Sequence, residues 1–259
     1  ADVLLSDENG QVQYDFKGKL SFSWPNSPDQ ATVNRGDSDY TPLLPYGFGL
    51  RYGDENVLNN ALNETFVRDT TEAKTRKLFD GKVHKPWLMQ LISGDQMNIS
   101  ASSHSIGALS YRTIDKVVQE DAIKLVADGS GEAQMRLVSK SHFREDLMSA
   151  LENKAALQFE VKLDQAPSSA VTIGMNCEGT GDPEGSCRTE IDITAQLNAL
   201  PQNQWSNISI DLNCFVKQGI RLTDIVVPFS VSTSGKLTMS LTNIVLEPNR
   251  ATNATLSCQ

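Results

Sequence analysis

Hydrophobic and polar positions alternate in short stretches along most of the chain after residue 81. In AIKLVAD (122–128), AQMRLVS (133–139) and ALQFEVKLD (156–164), apolar side chains recur at about every second position, the spacing of a β-strand with one buried face. Further short apolar or alternating stretches lie at 86–92, 106–112, 170–176, 189–194, 207–212, 224–233 and 236–247. Many short strands between polar turns are typical of a β-sandwich or jelly roll. The pattern therefore predicts a mainly β sandwich over residues 81–259.

Two segments interrupt the alternation and predict short helices. The segment SHFREDLMSALENK (141–154) places Leu147, Met148 and Leu151 at helical spacing. The segment ITAQLNAL (193–200) ends just before a proline, which cannot continue a helix interior. We expect both to be small inserts in a region that is large enough to bury its own core.

Residues 1–52 follow a different pattern. Only KLSFSW (19–24) alternates, with Leu20, Phe22 and Trp24 on one face. Eight of the seventeen aromatic residues of the chain lie in this segment, yet one short strand with aromatic loops cannot bury itself in water. We therefore expect the segment to pack on a sheet that this chain does not contain, and the chain to be a piece of a longer one.

The stretch between these regions, residues 53–80, is mostly polar and is typical of a connector. Four apolar residues between positions 57 and 66 could form one short helical stripe. The sequence thus predicts three parts: residues 1–52, a linker over 53–80, and the sandwich over 81–259.

Composition and charge limit the classes of partner that are expected. The chain has 259 residues with 23 basic and 32 acidic side chains, a formal net charge of −9. Nucleic acids and anionic membranes select basic surfaces, so neither is expected as a partner. No stretch approaches the roughly 20 consecutive apolar residues that a membrane span needs, so no span is expected.

Four cysteines, an even number at low density, suit two disulfides in a secreted or periplasmic protein. Cys177 and Cys187 flank EGTGDPEGS, a sequence suited to a tight surface loop, and Cys214 would by elimination pair with Cys258. Zinc is the alternative, but the three histidines show no metal-ligand spacing to these cysteines. We favour the disulfides over the metal.

The segment GKLSFSWPNSPDQ…VNRGDSDYTPLLPYGFGLRY (18–52) resembles the closing segment of family 3 glycoside hydrolases, a family that includes β-glucosidases and exo-β-glucanases. The matching positions follow one another in the same order as in the family over about 35 residues. It implies that residues 1–52 are the last strand and closing loop of that family's α/β sandwich domain. The positions that match this closing motif, to which a structural role is carried over, are Trp24, Asn34, Asp37, Tyr40, Tyr46 and Phe48.

Residues 81–249 resemble the C-terminal sandwich appended to some bacterial exo-1,3/1,4-β-glucanases of the same family, most clearly at QWSNISIDLNCF (204–215) and GKLTMSLTNIVLEP (235–248). This resemblance implies a galactose-binding-like sandwich similar to carbohydrate-binding modules. The fold expected for the whole chain is therefore mainly β, a jelly-roll or galactose-binding-like sandwich preceded by the end of an α/β sandwich domain.

The resemblance also implies the chemistry of the parent enzyme, a retaining exo-acting β-glucan hydrolase that releases glucose and uses two carboxylates. In the family, both carboxylates lie upstream of the closing strand and would precede Ala1. We therefore assign no catalytic residue here and expect this chain alone to be inactive. The implied partners are the upstream catalytic domains of the same parent chain.

Sugar binding by the sandwich is the sharper functional hypothesis. Sugars stack their C–H faces on exposed aromatic rings, and the candidates for such contacts are Trp87 and Trp205. A structural role is favoured for both, with Trp87 at the start of the sandwich and Trp205 at the end of a strand.

No cofactor is expected to be required. The stretch EDAIKLVADGSGE (120–132) contains the carboxylates of Glu120, Asp121, Asp128 and Glu132, and such oxygen-rich loops can bind calcium. No EF-hand spacing is present, so a structural calcium stays open and no ligand is assigned to it.

Three hypotheses follow. The first and favoured one is a non-catalytic C-terminal part of an exo-β-glucanase whose sandwich braces the catalytic domains. In the second, the sandwich binds β-glucan oligosaccharides and guides the substrate. In the third, the chain is a free-standing β-sandwich interaction module, which leaves residues 1–52 without a partner.

Overall fold

A computed structural model describes residues 2–26, 30, 32–55, 74–140, 143–178 and 187–258. The chain divides into two compact units, Ala1–Thr71 and Glu72–Gln259. The apolar stripe expected within the linker lies outside the described residues. Arg76–Phe79 pairs with the last strand of the sandwich, so the sandwich begins before the expected boundary at residue 81.

The first unit is held by short backbone pairings rather than by a sheet. The prediction of a strand at 19–24 was wrong. Trp24 makes an isolated bridge to Leu44, and the segment forms no continuous ladder. Leu20 N donates to Phe48 O at 2.8 Å, and Gly47 N donates to Leu20 O at 2.9 Å. A lone extended segment has no neighbouring strand with which to build a ladder.

The second unit is a sandwich of two antiparallel sheets, as the alternating pattern predicted. Its strands are β1 Arg76–Phe79, β2 Trp87–Ser93, β3 Asp95–Asn98, β4 Ser103–Ile106, β5 Leu109–Ile114, β6 Ala122–Asp128, β7 Ala133–Ser139, β8 Ala156–Gln165, β9 Val171–Cys177, β10 Cys187–Asp192, β11 Trp205–Asp211, β12 Ile225–Thr233 and β13 Lys236–Glu247. The seven-stranded sheet has the order β11-β8-β13-β6-β5-β4, with β1 added to β13. The six-stranded sheet has the order β10-β9-β12-β7-β2-β3.

The core lies between the two sheets, where alternate residues of each strand face inward. Phe159 on β8 and Phe229 on β12 meet edge to face with ring centroids 5.4 Å apart, and both are fully buried. Because these two strands belong to different sheets, the contact joins the two layers at the centre of the core. The outer faces of both sheets are left to carry polar residues.

Three short α-helices interrupt the strands. α1 (Met148–Glu152) and α2 (Thr194–Asn198) fall within the two predicted helical segments, of which residues 141 and 142 lie outside the described part. α3 (Leu212–Lys217) follows β11 directly, where the Asp211 side chain caps it by accepting a hydrogen bond from Asn213 N at 2.9 Å. Within the described residues, no helix is both long and apolar enough to span a membrane.

Two disulfides join Cys177 to Cys187 and Cys214 to Cys258. The first links neighbouring strands β9 and β10 at one edge of the six-stranded sheet. The second ties the C-terminal tail to α3, beside the edge strand β11. Each disulfide therefore secures the edge of a different sheet.

Candidate functional site

Polar side chains form two rows across the outer face of the six-stranded sheet. Strand register aligns one residue from each strand in each row, because directly paired residues point to the same face. The middle row consists of Asn98, Gln90, Arg136, Ser230, Gly174 and Glu190. The upper row consists of Gln96, Ile92, Gln134, Ser232, Thr172 and Asp192.

A cleft of about 470 Å³ lies over the centre of the upper row, where Ile92, Gln134, Ser232 and Thr172 line it, and reaches Arg136 and Glu190 of the middle row. Its floor comes from the central strands, and residues at the strand ends form its rim. The polar or charged residues that line it are Ser93, Glu132, Gln134, Arg136, Thr172, Arg188, Glu190, Ser232, Thr233 and Ser234. Alternation in β7 explains the floor, since Met135 and Leu137 enter the core while Gln134 and Arg136 face outward.

Neighbouring amides fix the orientation of Arg136. Its Nε donates to Gln90 Oε1 at 2.9 Å, and its Nη2 donates to Gln96 Oε1 at 3.4 Å. Gln90 is itself held, because its Nε2 donates to Asn98 Oδ1 at 2.7 Å. The guanidinium is thus placed at the floor of the cleft by a chain of hydrogen bonds that extends to the edge strand β3.

The upper row is ordered in a similar way. Gln134 Nε2 donates to Ser232 Oγ at 2.8 Å across the β7–β12 pair. In the middle row, Gly174 leaves space that Ser230 occupies, because a Cβ at position 174 would lie 2.6 Å from Ser230 Oγ. The glycine thus makes room for Ser230 beside the cleft.

The wall at β10 is charged. Arg188 forms an ion pair with Glu190. At the end of the upper row, hydrogen bonds from the Thr194 hydroxyl and its backbone N–H hold the pKa of Asp192 below the ordinary value of a carboxyl. Asp192 is therefore ionised at neutral pH.

This arrangement combines amide, hydroxyl, guanidinium and carboxylate groups within one open cleft. Such groups can donate to and accept from the hydroxyls of a polar ligand. Among the described residues, the cleft is lined by no aromatic side chain. Also within the described residues, no group of three or more His, Cys, Asp and Glu side chains could hold a metal ion.

The two tryptophans proposed as sugar contacts lie elsewhere. Trp87 is only 5% exposed and belongs to the core, so its ring is not available for stacking on a sugar. Trp205 is partly buried on the outer face of the seven-stranded sheet, opposite the cleft. Lys116 Nζ and Lys162 Nζ lie 5.2 Å and 5.8 Å from its ring centroid. The structure therefore does not bring the two rings together.

The closing-motif residues of the first unit form a network of loop contacts. Tyr40 Oη lies 2.7 Å from Ser23 Oγ and accepts a hydrogen bond from Tyr46 N at 3.1 Å. Asn34 N donates to Asp37 Oδ2 at 3.0 Å. Trp24 and Phe48 make the backbone pairings described above. The Trp24 and Tyr46 side chains nevertheless remain 49% and 54% exposed.

The carboxylates considered for calcium serve their own turns or the cleft rim. Asp121 accepts backbone N–H bonds from Lys116, Val117 and Val118. Burial acts to raise the pKa of Asp121, but these hydrogen bonds outweigh it and leave that pKa below its ordinary value. Asp128 accepts from Ser130 N at 2.8 Å, and Glu132 lies at the cleft rim.

The polar rows contain no aromatic ring that would mark them in the sequence as sugar contacts. The alternation in AQMRLVS does place Gln134 and Arg136 on one outer face. However, Gln90 lies 46 residues from Arg136 in sequence, and only the strand order shows that they are neighbours.

A family of galactose-binding domain-like modules matches residues 85–246, which is more than half of the chain. The chain therefore belongs to this family. No curated protein matches its sequence.

Solved structures show what the chain is similar to. The whole chain aligns with 29% of an exo-1,3/1,4-β-glucanase from a Pseudoalteromonas species, at 25% identity and a TM-score of 0.53. It thus spans less than a third of that enzyme. The isolated extra C-terminal domain of the same glucanase aligns over 99% of its length with 71% of this chain, at 18% identity and a TM-score of 0.57.

A third structure is a family 30 carbohydrate-binding module from a cellulosomal cellulase of Clostridium thermocellum. The alignment covers 68% of this chain and 99% of the module, at 16% identity and a TM-score of 0.50. At these identities, the module and the isolated domain establish the shared fold. The expected galactose-binding-like sandwich is confirmed.

Proposed function

We propose that this chain is the non-catalytic C-terminal part of an exo-acting β-glucan hydrolase, and that its sandwich binds β-glucan in the cleft of the six-stranded sheet. In the full-length enzyme, a retaining mechanism would release glucose from β-1,3/1,4-glucans. The observation that carries the binding role is the set of ordered polar side chains that line the cleft, among them Gln134, Arg136 and Ser232.

The chemistry of the rows supports a saccharide ligand. Each glucosyl unit of a glucan chain keeps several free hydroxyls, and each hydroxyl both donates and accepts. Gln134, Arg136 and Ser232 supply matching donors and acceptors, and their orientation is already set by neighbouring side chains. Pre-oriented groups lose less conformational entropy on binding than mobile ones.

Two observations support the proposed origin from an exo-β-glucanase. All of this chain aligns with part of the exo-glucanase, and residues 18–52 carry the closing motif. The partners proposed are upstream catalytic domains of the same chain, which would supply both catalytic carboxylates. The two disulfides support a secreted or periplasmic location, since such bonds persist in oxidising compartments.

Isothermal titration of the chain with mixed β-1,3/1,4-gluco-oligosaccharides tests the binding role. We expect saturable heat with these oligosaccharides and none with an unrelated α-glucan. The same preparation should hydrolyse no aryl β-glucoside. Absence of heat at millimolar oligosaccharide would contradict glucan binding, and turnover far above contaminant level would contradict the non-catalytic assignment.

A bracing role is the second candidate, and a different observation favours it. Large apolar side chains of the first unit remain exposed, among them Tyr14, Phe22, Trp24, Tyr46 and Tyr52. Such a concentration of exposed aromatics suits a surface that packs on another domain. Hydrogen exchange would test this: residues 18–52 should exchange rapidly in this chain and slowly in the longer hydrolase.

A further inference from the structure

A second cleft lies on the outer face of the seven-stranded sheet, over β4, β5 and β6. Its volume is about 400 Å³, which is within the range of small-molecule sites. Among the described residues that line it, Arg112 and Lys124 are basic and none is acidic. The whole chain carries a formal net charge of −9, so this cleft is a local exception to the charge of the molecule.

Strand register arranges the lining residues in two short lines. The first line, which carries the charges, consists of Ser103, Arg112 and Lys124. The second line, two residues further along each strand, consists of Ser105, Ser110 and Val126. Directly paired residues share a face, and successive outward residues on one strand are about 7 Å apart. The cleft therefore presents cationic groups on one side and hydroxyls on the other.

Arg112 is the cationic group of the cleft that has no carboxylate partner. Its side chain is exposed, and no carboxylate in the described part of the chain forms an ion pair with it. Lys124 Nζ does lie 2.6 Å from Asp164 Oδ2, but Lys162 Nζ lies 3.6 Å from the other oxygen of the same carboxylate. One carboxylate thus serves two lysines, and the charged side keeps an excess of positive charge.

The hydroxyl side of the cleft is uncharged and partly ordered. Ser105 Oγ donates to Ser110 Oγ at 3.1 Å, so the Ser110 hydroxyl keeps its own hydrogen for another acceptor. His104 Nε2 accepts from Ser100 N at 3.3 Å and from Ala101 N at 3.1 Å. A ring that accepts at Nε2 is neutral and carries its hydrogen on Nδ1. Positive charge is therefore confined to the Arg112 side.

We propose that this cleft is a second ligand site, which binds an acidic sugar through its carboxylate. The Arg112 guanidinium holds the carboxylate with two parallel hydrogen bonds, a geometry that the planar fork favours. Lys124 adds charge, and the Ser105 and Ser110 hydroxyls bond to hydroxyls of the sugar ring. The inference goes beyond the proposed function, because it concerns a different face of the sandwich and a charged class of ligand.

The two sides of the cleft exclude simpler ligands as the best fit. A bare oxyanion engages the charged side and leaves the serine hydroxyls unused. A neutral sugar engages the hydroxyls and leaves the Arg112 guanidinium without an anion. A sugar that carries a carboxylate uses both sides at once, and the volume of the cleft exceeds that of a lone ion.

NMR titration of the ¹⁵N-labelled chain tests this with three probes. Glucuronate and glucose differ in one group, since a carboxylate replaces the hydroxymethyl group, and sulfate is the bare oxyanion. We expect saturable shifts of amide signals in β4, β5 and β6 with glucuronate and none with glucose at the same concentration. Sulfate should bind about tenfold more weakly than glucuronate, because it lacks the hydroxyl contacts. Added salt should weaken the binding of glucuronate.

Variants of Arg112 locate the anion. Arg112→Gln should raise the Kd for glucuronate about tenfold or more, since charge-assisted hydrogen bonds are lost. Arg112→Lys keeps the charge but not the planar fork, so its Kd should lie between those of the wild type and Arg112→Gln. Arg144→Gln removes an exposed guanidinium outside the cleft and should change Kd by less than about twofold. Thermal unfolding of each variant separates a lost contact from a lost fold.

Each other outcome overturns the inference. Equal shifts with glucose and glucuronate would remove the role of the charge, and equal affinity for sulfate and glucuronate would leave an ion site without sugar recognition. Shifts confined to Gln134 and its neighbours would move the acidic sugar to the other face. Absence of shifts with glucuronate would remove the site altogether. The titration with β-gluco-oligosaccharides is a separate measurement, so failure of this inference leaves the proposed function untouched.

Discussion

The outer faces of the two sheets use polar residues in different ways. On the six-stranded sheet, an amide, hydroxyls, two guanidinium groups and two carboxylates line an open cleft. The seven-stranded sheet carries a row of Trp205, Lys162, Ser240, Lys124 and Arg112 at equivalent outward positions.

Most charges of the seven-stranded face are paired with one another. Lys124 Nζ and Lys162 Nζ lie 2.6 Å and 3.6 Å from the two oxygens of Asp164, and Lys116 is paired with Glu160. These side chains cover the sheet around Ser240, which is fully buried. Two lysines also lie over Trp205. The face is open toward β4 and β5, where Arg112 and Lys124 line the second cleft of about 400 Å³. The comparison supports placing the proposed glucan site on the six-stranded face, where ordered polar groups leave the central strands uncovered.

The largest expected effect on stability comes from removing the disulfides, each of which lies at the edge of a different sheet. In the loop-entropy relation, closing the 44-residue separation of Cys214 and Cys258 stabilises by about 4 kcal/mol, and the 10-residue separation of Cys177 and Cys187 by about 2.7 kcal/mol. We therefore expect Cys214→Ser/Cys258→Ser to lower the free energy of unfolding more than Cys177→Ser/Cys187→Ser does. Guanidinium unfolding of both double variants measures this, and the reverse order would contradict it.

A smaller effect is expected at Trp205. Trp205→Ala should reduce the free energy of unfolding by about 1 kcal/mol, because it removes a partly exposed ring and its two cation–π contacts. Urea unfolding of this variant, with Gln158→Ala on the same face as a control, measures the change. A loss above about 3 kcal/mol, the range of core aromatic truncations, would place the ring in the core instead.

The smallest effect concerns pH. Burial acts to raise the pKa of Glu160, but hydrogen bonds from Lys116 and Asn243 outweigh it and leave the pKa below the ordinary 4.5. Because the folded-state pKa is the lower one, ionised Glu160 contributes stability above about pH 5 that is lost as pH falls through the folded value.

Glu160→Gln should therefore reduce the loss of stability between about pH 5 and 3. The difference should stay at about 1 kcal/mol or below, since the Lys116 and Glu160 side chains remain 19% and 21% exposed and solvent still screens the pair. Urea midpoints at both pH values, with Gln158→Ala as the non-titrating control, give the difference. If the pH dependence of stability is unchanged in Glu160→Gln, the pKa of Glu160 is not lowered in the folded state.

Much of the fold could be predicted because alternation is a local signal. In β8, Leu157, Phe159, Val161 and Leu163 are all buried, as period two requires. The strands β3 (DQMN) and β4 (SHSI) carry almost no apolar alternation and were missed. They form because β2 and β5 offer adjacent backbone partners.

The candidate site was less predictable because it depends on strand order. Each polar row combines residues from six strands, and alternation along a strand determines the face of each residue but not its neighbours. Trp87, for which a structural role was favoured, is a core residue at the start of the sandwich. Glycine at position 174 makes room for Ser230 in the middle row, yet nothing in the local sequence marks it.

The C-terminal tail has a consequence for how the domain meets other chains. Leu256 bridges Ile210 in parallel, with Asp211 N donating to Leu256 O at 2.9 Å and Leu256 N donating to Ser209 O at 3.0 Å. These bonds occupy backbone groups of β11 that an edge strand would otherwise offer to a foreign strand. Because Cys258 is bonded to Cys214, the tail cannot drift away from this edge. The disulfide-linked tail thus protects the β11 edge from pairing with a strand of another chain.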